Sequence, residues 1–194
     1  PCQHGFVVAD VTGKGVPASL LMATMRATLR ANIQNNPNDI VQALRQVNGD
    51  IYRDSPVDKF ITSIYCNLDY HRHEISYVNS GHNPPYIVRA DDSRIEELEQ
   101  GGVMLGIMEE IDLPKVTLSI GKGDILMLFS DGVTEATNPS GELFSEESFE
   151  QWLLDHNQLS AEEMKKALLE TLQDYADGSP QSDDITFIIV KRTN

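Results

Sequence analysis

Phe60-Ile61-Thr62-Ser63-Ile64-Tyr65-Cys66-Asn67-Leu68 is the stretch whose reading decides the fold class. Phe60, Thr62, Ile64, Cys66 and Leu68 alternate with Ile61, Ser63, Tyr65 and Asn67, so the period is two and apolar residues fall on both sides, as in a strand covered on both faces. A turn at His71-Arg72-His73 then leads to Ile75, Tyr77 and Asn79, which predicts a hairpin. The loop Gly81-His82-Asn83-Pro84-Pro85 ends it, and Tyr86-Ile87-Val88 begins another strand. Further β-runs lie at 116–120, 125–129 and 185–190, and an earlier one at Gly5-Phe6-Val7-Val8-Ala9.

Helical periods fill the gaps. Pro17 suits a first helical position, where its missing N–H is not needed, and Ala18, Leu21, Met22, Met25, Leu29 and Ile33 recur on one face. A second helix begins near Asn38, a good N-cap, and carries Val41, Leu44, Val47 and Ile51. Two more lie between the last two β-runs: one over about 145–156 with Phe149, Trp152 and Leu153 inward, and one starting at Ser160, whose capping partner Glu163 stands three residues on. Strands in blocks and helices in blocks predict an α+β fold with antiparallel sheets rather than alternating βαβ units. No repeat, low-complexity run or linker divides the chain, so residues 1–194 read as one domain.

The 194 residues carry Lys+Arg 15 against Asp+Glu 30, a formal charge of −15. That excess of carboxylate excludes a protein that works by neutralising nucleic-acid phosphates and disfavours an anionic membrane surface. Phosphate chemistry on such a chain has to borrow positive charge from bound metal. At 40% hydrophobic residues there is enough apolar material for a sizeable core. Cys2 and Cys66 stand far apart without a CxxC partner, which argues against a disulfide framework or zinc knuckle and for a reducing cytoplasm. The apolar runs are strand-sized, far short of the roughly 20 residues that span a bilayer, and no secretory leader is visible. The chain opens at Pro1 and is soon in an apolar run, so it reads as part of something longer.

Three aspartates sit at expected strand ends: Asp10 after the first run, Asp131 after 125–130 and Asp183 before 185–190. If those strands are neighbours, three carboxylates converge, and their repulsion calls for a cation. Oxygen ligands without a His/Cys cluster suit a hard ion such as Mg²⁺ or Mn²⁺. Each aspartate taken alone reads as a turn former before it reads as a metal ligand, since each lies near a strand end and Asp131 precedes a glycine. Gly13-Lys14-Gly15 is half a phosphate loop without the rest of that pattern. His82 reads as a loop-ordering residue, His71 and His73 as solvated turn residues, Met22 and Met25 as core, and Glu96, Glu97, Glu99, Glu109 and Glu110 as solvated charge.

Four strings occur in order: Val8-Ala9-Asp10-Val11-Thr12-Gly13-Lys14-Gly15-Val16-Pro17-Ala18, then Ser80-Gly81-His82-Asn83-Pro84-Pro85, then Phe129-Ser130-Asp131-Gly132-Val133-Thr134-Glu135-Ala136, then Asp183-Asp184-Ile185-Thr186. Together they closely resemble the bacterial SpoIIE/RsbU-type branch of the metal-dependent, protein phosphatase 2C-like family, over essentially the whole chain. The resemblance implies a four-layer α-β-β-α sandwich of two antiparallel sheets flanked by helices, with a binuclear Mg²⁺/Mn²⁺ site. It also implies that Asp10 bridges both ions, that the carbonyl of Val11 binds the second, and that Asp131 and Asp183 hold the first. Asp184 is the alternative to Asp183, and the 81–85 loop takes a structural role. Members of the branch carry a Gly-Gly-Asp-aromatic-aspartate segment on the strand before Val8, and nothing like it precedes Pro1.

The activity so implied is hydrolysis of phosphoserine or phosphothreonine on a protein. Two ions about 3.5–4 Å apart lower the pKa of a bridging water and align it for in-line attack. Neither cysteine sits in a phosphate-cradling loop, which disfavours a cysteine nucleophile. The implied substrate is a phosphorylated STAS-type anti-sigma-factor antagonist, under control of an upstream sensory or receiver domain. Control through the helix from Pro17 is expected because Asp10 stands in the turn before it. The competing reading is a catalytically degenerate domain that captures a regulatory partner without turnover.

Overall fold

The computed structural model describes residues 3–37, 39–56, 58–181 and 183–194. The elements run β1 (Gln3–Val11), α1 (Val16–Asn35), α2 (Ile40–Asp54), β2 (Ile61–Asp69), β3 (Glu74–Ser80), β4 (Tyr86–Val88), β5 (Ile95–Glu97), β6 (Lys115–Ser119), β7 (Ile125–Phe129), a 3-10 turn (Asp131–Val133), α3 (Glu146–His156), α4 (Ala161–Ala176) and β8 (Phe187–Lys191). They form two antiparallel sheets, ordered β1-β2-β3-β6 and β5-β4-β7-β8. This is the α+β class that the blocks of strands and helices predict. The residues gather into two compact units, Pro1–His82 with Gln100–Ser119, and Asn83–Glu99 with Ile120–Asn194. Each unit contains one sheet and two helices.

In the first unit β2 is central, paired with β1 on one side and β3 on the other. Its alternation buries Ile61, Ser63, Ile64, Tyr65 and Cys66, so the strand is covered on both faces as its sequence requires. Met25 and Leu29 of α1, and Ile40, Leu44, Val47 and Ile51 of α2, pack in one core with Ile61, Tyr65 and Val78 of the sheet. The cap of α2 is Asp39, whose Oδ1 accepts a hydrogen bond from the Gln42 N–H at 2.9 Å; Asn38, the expected cap, lies outside the described residues, as does Cys2. Asn48 on α2 is buried and spends its whole amide on one loop. Its Nδ2 donates to the carbonyls of Met108 and Glu109 at 3.0 and 2.9 Å, and its Oδ1 accepts from the Gly106 N–H at 2.8 Å.

In the second unit Tyr86, Val88, Ile125, Met127 and Phe129 of the sheet pack with Phe149, Trp152 and Leu153 of α3 and Met164, Leu168 and Leu172 of α4. The Ser160–Glu163 capping box forms as predicted. Two departures from the sequence reading have local causes. Glu96 is not merely solvated, because it accepts from Arg89 Nη2 and Arg94 Nη2, each at 2.7 Å, whereas its β5 neighbour Glu97 is exposed as the sequence reading has it. Burial, with Glu99, Glu146 and Glu150 nearby, raises the Glu97 carboxyl above its ordinary range. The last strand starts at Phe187 and not at 185, because the Thr186 N–H bonds to the Ser130 hydroxyl at 3.1 Å instead of to a neighbouring strand's backbone. Among the described residues no helix is long and apolar enough to cross a membrane.

Candidate active site

The end of β7 is built by one serine. Ser130 N–H donates to the Thr186 carbonyl at 2.9 Å, and its hydroxyl donates to the Asp184 carbonyl at 3.0 Å. The chain then turns at Asp131, whose own carbonyl accepts from the Glu135 N–H at 2.8 Å and the Thr134 hydroxyl at 3.2 Å. With its backbone so engaged, Asp131 has a fixed starting point for a half-buried side chain. Gly132 completes the clamp, since a Cβ there would meet the Asp184 carbonyl oxygen at 2.3 Å. The Asp131-Gly132 turn is thereby seated directly on the 184–186 segment. Asp183 and Asp184 are both exposed; the Asp184 N–H donates to Asp183 Oδ1 at 2.7 Å, and Gln181 Nε2 donates to the Asp183 carbonyl at 2.7 Å.

Asp10 and Val11 belong to the other unit. Asp10 is the exposed penultimate residue of β1 and pairs in register with Thr62, while Val11 is buried opposite Ile61. The sequence reading put Asp10 just beyond the strand; the structure keeps it inside, because β1 stays paired with β2 through Val11. The next residue ties off the strand pair: Thr12 Oγ1 accepts from the Phe60 N–H at 3.0 Å.

Thr62, the register partner of Asp10, bonds through Oγ1 to His82 Nδ1 at 2.9 Å. His82 is buried, and the Asn79 side chain brackets its backbone, accepting from its N–H at 2.8 Å and donating to its carbonyl at 2.9 Å. Gly81 has φ +68°, and a Cβ there would meet Met104 Cγ at 2.6 Å, so the loop is committed to glycine at that point. This is the loop-ordering role the sequence assigns to His82.

Of the proposed ligands, therefore, Asp131 and the Asp183-Asp184 pair come together at one end of the β7–β8 pair, and Asp10 with Val11 stands at the end of β1. Among the described residues no three His, Cys, Asp or Glu side chains gather closely enough to hold a metal ion. The donor chemistry does suit a hard divalent cation, because every candidate offers oxygen and the Asp10, Asp183 and Asp184 side chains are open to solvent. Among the described residues no thiol is available as a nucleophile, for Cys66 is buried in β2 and burial pushes its pKa up to about 12. Sequence reasoning missed Ser130, Thr62 and Asn79. For Ser130 a signal was present, a hydroxyl terminating the apolar run Ile125-Leu126-Met127-Leu128-Phe129 one residue before an aspartate.

The comparisons agree with this architecture. The family model described as Stage II sporulation protein E (SpoIIE) matches residues 3–193. The chain is 31% identical over 187 residues to the phosphoserine phosphatase RsbU of Bacillus subtilis (strain 168), covering 96% of this chain and 55% of RsbU. It thus spans about half the length of the curated relatives it matches. The solved SiaA-PP2C domain of Pseudomonas aeruginosa superimposes with a TM-score of 0.84 at 21% identity, over 96% of this chain and 75% of that one. RsbX in complex with magnesium superimposes with a TM-score of 0.67 at 15% identity, over 96% and 85%. These structures establish a protein phosphatase 2C-like fold, and with a family model that takes in nearly every residue, the chain belongs to the SpoIIE family.

Proposed function

We propose that residues 1–194 act as one metal-dependent protein serine/threonine phosphatase domain, hydrolysing phosphoserine or phosphothreonine on a regulatory protein. The single observation that carries the reading is the clamp of Ser130 and Gly132 on the 184–186 segment, which holds Asp131 beside Asp183 and Asp184 in a member of the SpoIIE family. Asp10, the carbonyl of Val11, Asp131 and Asp183 are the proposed donors to two Mg²⁺ or Mn²⁺ ions; RsbX, a protein of the same fold, is known with magnesium bound. When bound, such ions supply an activated water and positive charge for the phosphoryl oxygens.

The chain's own residues do the positioning. Ser130 and Gly132 fix the backbone from which Asp131 projects, so its carboxylate needs little reorganisation to bind. Thr62, anchored by the buried His82, fixes the strand position opposite Asp10. The excess of carboxylate elsewhere, a net −15, leaves bound cations as the natural docking point for a phosphate. The proposed substrate is a phosphorylated STAS-type anti-sigma-factor antagonist, with the domain cytoplasmic and governed by an upstream sensory or receiver domain; similarity to a phosphoserine phosphatase supports the substrate's phosphoserine.

The test is phosphate release from a phosphoserine protein. Turnover is expected to need Mn²⁺ or Mg²⁺, to stop on chelation, and to fall at least a hundredfold in Asp131→Asn. Binding of the phosphoprotein with no turnover under any divalent metal would establish the partner-capture module instead.

A further inference from the structure

We infer that the groove between α4 and residues 178–181 and 185 receives the apolar flank of the phosphorylated segment of the substrate protein. The inference rests on the phosphatase reading and adds to it a specificity surface. The groove encloses about 550 Å³ and is lined by Ala136, Leu169, Leu172, Ala176, Pro180 and Ile185 together with neutral polar side chains; among the described residues no charged one lines it. On a chain of net −15 that gap in the charge is informative. Along α4 the exposed positions Glu162, Lys165, Lys166, Glu170 and Asp174 are charged, as on a solvated helix, whereas Leu169 at the groove is apolar and stays 47% exposed.

The groove is also continuous with the proposed site. Gly132 is one of its walls and the neighbour of Asp131, and Ile185 lies two residues beyond Asp183. Gln181, another wall, donates its side-chain amide to the Asp183 carbonyl at 2.7 Å. A phosphoserine carries about two negative charges and is repelled by carboxylates along its path. A segment that leads the phosphate to Asp131 and Asp183 therefore meets least repulsion along this neutral trough, and the trough rewards apolar residues beside the phosphoserine. The occupant is thus a phosphoserine segment with leucine-like neighbours, not a second copy of this acidic chain.

Two synthetic phosphoserine peptides test this, identical except that one carries leucines and the other glycines two to four positions on either side of the phosphoserine. With the Mn²⁺-loaded chain, kcat/KM for the leucine peptide is expected to exceed that for the glycine peptide at least tenfold. Leu169→Ser is expected to bring that ratio close to one, and Gln173→Glu, at an exposed position, to lower the leucine peptide's kcat/KM severalfold at low salt. Because Leu169→Ser is read as a ratio between two peptides, and Gln173→Glu against the same sample's p-nitrophenyl phosphate rate, loss of folded protein cancels. Equal rates for the two peptides on the parent chain, or a ratio untouched by Leu169→Ser, overturns the inference. So does a change in sedimentation with the ratio preserved, which would make the groove a contact between copies. If the Mn²⁺-loaded chain turns over neither peptide nor p-nitrophenyl phosphate, the phosphatase reading itself falls and the inference with it; p-nitrophenyl phosphate turnover without peptide preference sinks the inference alone.

Discussion

Gly132 shows how one missing Cβ can govern a site. Its neighbour across the turn is the Asp184 carbonyl, 2.3 Å from where a Cβ would stand. Gly132→Ala must push the 131–133 turn off the 184–186 segment, and the expected cost is that of overpacking, about 1–3 kcal/mol; urea midpoints measure it, and phosphate release should fall in parallel. The choice between Asp183 and Asp184 belongs to the same scale. Asp183→Asn is expected to lower metal-dependent turnover at least tenfold more than Asp184→Asn, and the reverse order would exchange the two roles. Cys66 offers a control away from the site. With its thiol pushed up to about 12 by burial, it should resist alkylation at pH 8 in the folded chain and react on unfolding, as peptide mapping would record. Since that thiol's pKa is raised, its contribution to stability is whole below the unfolded value of about 8.5 and drains away as the pH climbs.

Among the elements, the β4–β5 hairpin and the start of β7 are joined by charge. Arg89 bonds to Glu96 at 2.7 Å and to Asp124 at 2.8 Å, and Asp124 also accepts the N–H groups of Ala90 and Gly121 at 2.9 and 2.8 Å. Burial works to raise the Asp124 carboxyl, but the Ala90 N–H, the Arg89 guanidinium and the Gly121 N–H together hold it below the usual carboxylate range. A lowered folded value means the contribution is present above the unfolded pKa of about 3.9 and is lost as pH falls through the folded one. Asp124→Ala is expected to cost about 2–3 kcal/mol at pH 7, because it removes the acceptor of the Ala90 and Gly121 N–H groups and leaves Arg89 with Glu96 alone, and the gap to the parent chain should narrow toward pH 3 in urea titrations. Nothing in the sequence marks this network: Asp124 follows Gly123 in what reads as an ordinary turn, and its partner is 35 residues away. The elements themselves were legible wherever period and caps agreed, as in β2 and α4. The strand ends were not, because at Ser130 and Thr12 one half of each backbone pair is taken over by a side-chain hydroxyl, which periodicity does not register. The candidate ligands could be proposed from strand-end position together with the family resemblance, but the serine and the threonine–histidine pair that fix their backbones are contacts between segments 20 to 56 residues apart.

For the molecule as a whole, a net charge of −15 and the proposed metal requirement are two sides of one property. A cation that binds only the folded site must raise the melting temperature, by an amount equivalent to about 2.7 kcal/mol at a hundredfold excess over its Kd. Calorimetry with Mn²⁺ should show the rise in the parent chain and not in Asp131→Asn; equal shifts in both would mean the ions bind elsewhere on the acidic surface. The order of segments also matters. Each compact unit is assembled from two separate pieces of chain, with crossings after His82, Glu99 and Ser119. A ribosome therefore finishes neither unit until it has begun the other, and no single cut in the gene releases one as a working half. Lineages carrying this arrangement must inherit the two units together.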